Sequence, residues 1–171
     1  SNGPAKVSLF ASGSEVEIAM AAQKLLAEKG ISARVVSVPC MDIFLSRDVA
    51  ERRAVIGDAP VKVAIEAAIR QGWDSIIGSD GVFIGMDGFG ASAPYKKLYE
   101  YFGITAQHAA DAAMAQRAAE ALAEIARKFS QDDFAARLDI AIDSISRHGY
   151  TLNTKMSEFK DMLTETIVFR Q

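Results

Sequence analysis

The sequence predicts an α/β fold, a three-layer α/β/α sandwich with a mostly parallel sheet, and three observations carry that prediction. Short β-branched or aromatic runs of strand length recur at residues 6–11, 33–38, 61–66 and 82–86. Alanine-rich stretches with apolar residues at helical spacing fill most of the intervals, as a parallel sheet with crossover helices requires. Gly30 and Gly103 stand where two of those stretches end, the place of a left-handed helix cap.

Taken in order, Val-Ser-Leu-Phe-Ala up to Ala11 is a strand that runs into Ser12-Gly13-Ser14. Ser14 followed by Glu17 has the spacing of a capping box, and Ile18, Leu25 and Leu26 mark the apolar face of the helix it would open. Residues 33–38 read as a buried strand closed by Pro39, so two strands joined by one helix imply a right-handed parallel crossover. Residues 40–57 read as a loop and then a short helix capped at Ser46. Val61, Val63 and Ile65 alternate on one strand face, and 67–73 suggests a short helical piece. A further strand follows at 82–86, then a helix from Pro94, where the missing donor of proline costs nothing. Thr105 caps a long alanine-rich helix over about 106–128, with Leu122 and Ile125 on its core side.

After Phe129 the texture changes. Ser130-Gln-Asp-Asp133 is a helix start, and apolar residues recur at helical spacing to His148-Gly149 and again from Met156 to Ile167. The expected organisation is an α/β domain over 6–129 and a helical hairpin extension over 130–171.

At 171 residues, 50% hydrophobic and net charge −3, the chain has ample apolar material for a core. Its single cysteine, Cys40, excludes an intrachain disulfide. Mild acidity without a basic stripe argues against nucleic acid. No apolar stretch is long enough for a membrane span and no secretory leader is seen, so a cytoplasmic location is expected.

Ser12, Gly13 and Ser14, between a strand and a helix, form a candidate edge for a small anion or effector. The dinucleotide glycine pattern and the P-loop lysine are both absent, and a satisfied strand-to-helix turn is the plainer reading. Glu15 and Glu17 complement the helix dipole in its first turn. Residues 78–94 hold five of the twelve glycines, with Asp80 and Asp87 among them, but lack the ligand spacing of a cation loop. Gly85, Gly88 and Gly90 read instead as a strand end turning against another backbone, and Met86 and Phe89 beside them as a candidate interface. His108 and His148 read as surface or capping residues, Cys40 as a small buried hydrophobe, and Arg47, Arg52 and Arg53 as a solvated helix face.

Several segments in fixed order carry a resemblance. They are Ala11-Ser-Gly-Ser-Glu-Val-Glu17, Ala33-Arg-Val-Val-Ser-Val-Pro39, Asp42 with Phe44, Val61-Lys-Val-Ala-Ile-Glu66, Gly85-Met-Asp-Gly-Phe-Gly-Ala-Ser-Ala-Pro94 and Leu98-Tyr-Glu-Tyr-Phe-Gly-Ile-Thr105. Together they resemble the C-terminal, third domain of transketolase over about residues 6–116. The resemblance implies part of a homodimeric enzyme of the pentose phosphate pathway, dependent on thiamine diphosphate and magnesium, that moves a two-carbon ketol unit between sugar phosphates. In that family the cofactor and metal motifs belong to other domains, so no catalytic, cofactor-binding or metal residue maps onto this sequence. Gly78-Ser-Asp-Gly81 is not the family's diphosphate motif, because serine precedes the aspartate and no asparagine follows at the needed distance. The implied role is structural, in assembly, or regulatory, with the remaining transketolase domains or a catalytic subunit as partner and no activity alone. Two alternatives stand beside it: a stand-alone anion- or effector-binding module, and the non-catalytic subunit of a split transketolase or related thiamine diphosphate enzyme.

Overall fold

The structure, a computed structural model, describes residues 4–128. The hairpin expected over 130–171, with His148, lies outside them. The chain divides into two compact units, Ser1–Ala119 and Glu120–Gln171.

Ten elements follow one another: β1 (Val7–Ala11), α1 (Glu15–Glu28), β2 (Ala33–Ser37), α2 (Met41–Leu45), α3 (Val49–Ile56), β3 (Val61–Ile65), α4 (Asp74–Ile77), β4 (Val82–Ile84), α5 (Tyr95–Tyr101) and α6 (Ala106–Lys128). The four strands form one parallel sheet in the order β2-β1-β3-β4. Leu9 lies between Val35 and Val63 in register, which centres β1 in the sheet and leaves all five of its residues buried. Side chains alternate across the pleat. Val7, Leu9, Val61, Val63 and Ile65 therefore join Ala19, Ala22 and Leu26 of α1 and Ala109, Ala110 and Ala113 of α6 in one core. Phe10 and Ala64 point the other way, to Trp73, Ile76 and Ile77, with Phe44 and Ile56 packed alongside. Two cores on opposite faces make the expected three layers.

Two of the sequence-predicted helix ends are borne out by hydrogen bonds. At Gly30, φ +71, the backbone N–H groups of Gly30 and Ile31 donate to Ala27 and Leu26, a Schellman closure whose outer residue, Ile31, is buried. Gly103, φ +69, repeats it, with Gly103 donating to Glu100 and Ile104 to Tyr99. Thr105 caps α6 through its hydroxyl, which accepts from the His108 N–H at 3.2 Å.

Other expectations need correction. The Ser14–Glu17 capping box does not form: Ser14 already has helical backbone angles, φ −69 and ψ −26, and its hydroxyl donates to Glu15 instead. A capping side chain needs extended backbone to reach the free N–H groups. Asp48 has it, φ −63 and ψ 161, and accepts from Glu51 N at 2.8 Å, so Asp48 and not Ser46 opens α3. Before it, Met41–Leu45 is a helix where a loop was expected. Residues 67–73 are bends and turns, and the helix comes later, at α4. β2 is an edge strand with only Ala33 buried, because its outer side has no neighbour in the sheet. Leu122 and Ile125 are not on the buried side of α6, which in the first unit is formed by alanines; Ile125 is exposed.

Candidate functional site at the carboxyl end of the sheet

Because every strand is parallel, the four strand-to-helix connections leave from one end of the sheet. The order β2-β1-β3-β4 places the topological switch between β1 and β3, and open α/β sheets bind ligands in the crevice outside that point. Ser12 follows β1 there and Glu66 follows β3. The Ser12 hydroxyl donates to Glu66 Oε2 at 2.6 Å, a bond between residues far apart in sequence. Beside it, the Tyr99 hydroxyl from α5 donates to Glu15 Oε1, and the Ser14 hydroxyl donates to the same oxygen at 3.1 Å. Glu15 is only 4% exposed. Gly13 makes the tight turn with φ +48.

Ser12, Gly13 and Ser14 are thus brought together, but both serine hydroxyls are spent on carboxylates of the same chain. Glu15 does more than complement a helix dipole, since it is the buried acceptor that ties α5 to the start of α1. The Tyr99 hydroxyl is held above its ordinary pKa, first by its hydrogen bond to Glu15, with burial and the charges of Glu15 and Glu66 adding and the Ser14 bond opposing. Sequence reasoning missed the pairing of Glu66 with Ser12 and of Tyr99 with Glu15. Glu66 carried a weak signal, as a carboxylate directly after a buried strand; Tyr99 carried none.

The β4–α5 connection is built differently. Met86 N donates to Ala68 O at 2.9 Å and anchors its start. At Gly85 a Cβ would meet the Phe83 ring and stand 2.7 Å from Ala68 O, so the close backbone approach expected of the glycines is real there. Gly88 has open space around it and Gly90 meets only the tip of Met86, so neither turns against another backbone. From Asp87 to Lys97 every residue is exposed. Met86 is half-buried against the core, while Phe89 is 101% exposed.

The remaining candidates are structural. Arg70 binds Asp74 at 2.7 Å and donates to the carbonyls of Gly78, Ser79 and Gly81, clipping the turn before β4. His108 Nδ1 lies 2.8 Å from Gly103 O, the capping role expected of it. Arg47 pairs with Glu51 at 3.6 Å on an exposed face. Cys40, expected to be buried, is exposed at the start of α2, beside a surface groove of about 370 Å³ lined by Val38, Pro39, Ile43, Phe44 and Val55 among others. Among the described residues, no group of three His, Cys, Asp or Glu is placed to hold a metal. No described helix is long and apolar enough to cross a membrane.

Comparison with known proteins places this architecture. Residues 1–105 match the family described as "Transketolase-like TK C-terminal domain". The chain belongs to that family. Transketolase of Sinorhizobium medicae is 52% identical over 130 residues, which is 75% of this chain but 17% of the relative. Transketolase from Leishmania mexicana superposes with a TM-score of 0.60 at 35% identity, over 66% of this chain and 16% of that one. A chain described as "Split gene transketolase, inactive beta4 tetramer" shares the fold, with a TM-score of 0.53 at 18% identity over 68% of this chain and 40% of that one. This transketolase C-terminal domain therefore spans about one sixth of the length of the full transketolases it matches.

Proposed function

We propose that this chain is the non-catalytic C-terminal part of a transketolase, inactive alone, that serves in assembly of a cytoplasmic enzyme transferring a two-carbon ketol unit between sugar phosphates in the pentose phosphate pathway. One observation carries this reading: the crevice where an α/β sheet would take a ligand is bridged by the chain's own Ser12–Glu66 bond, while Phe89 in the next connection stands free of any neighbour. Thiamine diphosphate and magnesium, which such an enzyme uses, do not fit the residues described. The serines at the turn face carboxylates and not an incoming phosphate, so no step of the transfer is assigned to this chain. The same carboxylates leave a stand-alone anion-binding module without support.

The α/β domain is read as 6–129 and the extension as 130–171. Its partner is the remainder of a transketolase, in the same polypeptide or on a separate one, the latter being the arrangement suggested by the split-gene enzyme with this fold. Met86 and Phe89 are the proposed contact, within a homodimeric assembly. The test is an exchange in which this chain replaces the C-terminal region of the Sinorhizobium medicae enzyme. Expected are a soluble assembly with ketol transfer in the exchange enzyme and no turnover by this chain alone with thiamine diphosphate and Mg²⁺. An exchange enzyme that neither assembles nor turns over sinks the reading.

A further inference from the structure

The exposed apolar residues of this chain are not scattered at random around the sheet. Ile43, Ile69 and Phe89 are 61%, 51% and 101% exposed. Each lies within about six residues of the carboxyl end of its preceding strand, β2, β3 or β4, and the parallel order puts those three ends side by side. The groove at Val38, Pro39, Ile43 and Phe44 opens at the same end. α2 and α3, which form its outer wall, bury no residue of their own. Short helices are held by packing, not by propensity.

The charges follow the same geometry. Every strand has one carboxylate within about five residues of its carboxyl end: Glu15, Asp42, Glu66 and Asp87 after β1 to β4. The cation in the corresponding stretches is Arg70, and it is already bound to Asp74 and three carbonyls. This end is therefore acidic at its centre and apolar around it.

We infer that the carboxyl end of the sheet as a whole, from the Ile43 groove across Ile69 to Phe89, is a single docking face whose occupant is a basic, apolar surface on the remainder of a transketolase. The inference rests on the function proposed above and widens its contact from one loop to three connections. The occupant follows from two facts. Relatives that this chain matches are about six times longer than the matched part, so most of such an enzyme lies outside it. The face's carboxylates also call for a partner of opposite charge. A face of this kind exposed to water would be an association liability for a protein on its own.

The experiment uses the exchange enzyme described above, with the free full-length chain as a folding control. The pair Ile43→Asp and Ile69→Asp should lower assembled fraction and turnover by about tenfold or more, as loss of buried anchors does, and assembly should weaken with added salt. Met20→Asp, equally apolar and exposed but on α1, should leave both unchanged. The free chain carrying the pair should keep its circular dichroism and melting temperature. If it does not, Ile43→Ser with Ile69→Ser replaces it and must still lower assembly. An exchange enzyme in which Phe89→Asp disrupts assembly but neither Ile43/Ile69 pair does would overturn the wider face and leave the proposed function standing. An unmodified exchange enzyme that does not assemble overturns both. Self-association of the free chain that the Ile43/Ile69 pair abolishes would make a second copy the occupant and overturn the inference.

Discussion

Phe10 and Phe89 are the same side chain in opposite circumstances, and they mark two regions built on opposite principles. Phe10 is fully buried in β1, packed among Trp73, Ile76 and Ile77. The turn just beyond β1 is closed by Ser12–Glu66 and Glu15–Tyr99. Phe89 has no covering at all, in a segment exposed from Asp87 to Lys97. The two regions touch at one place: Tyr99, four residues into the helix that follows the open segment, reaches back to Glu15 at the sealed turn. What the difference teaches is that this domain spends its polar groups on closing the usual ligand crevice and leaves its apolar display to the neighbouring connection. That is the organisation of a part to be docked.

The comparison is broken most easily with the two phenylalanines. Phe10→Ala should cost about 3–5 kcal/mol of stability by the cavity it opens, whereas Phe89→Ala should stay within about 0.5 kcal/mol. Urea titrations of the free chain measure both, and a large loss at Phe89 would show that the open segment is part of the fold. The glycines sharpen the contrast at closer range. Gly85→Ala drives a methyl into Phe83 and toward Ala68 O, at about 1–3 kcal/mol. Gly88→Ala meets nothing and is not at a positive φ, so its midpoint should be unchanged or slightly higher. Equal effects at the two glycines would refute the distinction.

The link between the regions comes next. Tyr99→Phe removes the donor to a buried carboxylate and should cost about 1–2 kcal/mol, at the lower end for hydrogen bonds to charged groups because Tyr99 is half-exposed and Ser14 still donates to Glu15. The smallest effect is a pH dependence. The folded chain holds the Tyr99 proton beyond pH 10.0, the phenol's ordinary value. The unfolded chain releases it there, so the bond's contribution is complete below that pH and is lost as pH rises through the folded value. Melts of the wild type and Tyr99→Phe should differ at neutral pH and draw together in alkali. A gap that persists unchanged would assign the loss to packing instead of the hydrogen bond.

Much of the fold was legible in the sequence because its signals are local. Strands of β-branched residues, Schellman glycines at Gly30 and Gly103, and Thr105 as a cap each depend on a few adjacent residues. The misreadings at Ser14 and Ser46 came from the same local grammar, since a serine at a helix start caps only if its backbone is extended. Asp48 satisfied that condition and Ser14 did not, and the sequence spacing was indifferent to the choice. At the candidate site, the turn Ser12–Ser14 and the exposed Phe89 were legible as unusual, while their partners were not. Ser12 meets Glu66 across 54 residues and Tyr99 meets Glu15 across 84.

By itself, then, the sequence determined the α/β class, the four strands, two helix closures and membership of the transketolase C-terminal family, because periodicity, cap chemistry and ordered motifs are written in neighbouring residues. Only the tertiary structure decided that the switch-point crevice is bridged by a serine and a glutamate, that Gly85 is crowded while Gly88 is free, and that Ile43, Ile69 and Phe89 share one end of the molecule. Those outcomes depend on strand order and on contacts between distant segments. Chain spacing alone does not encode them.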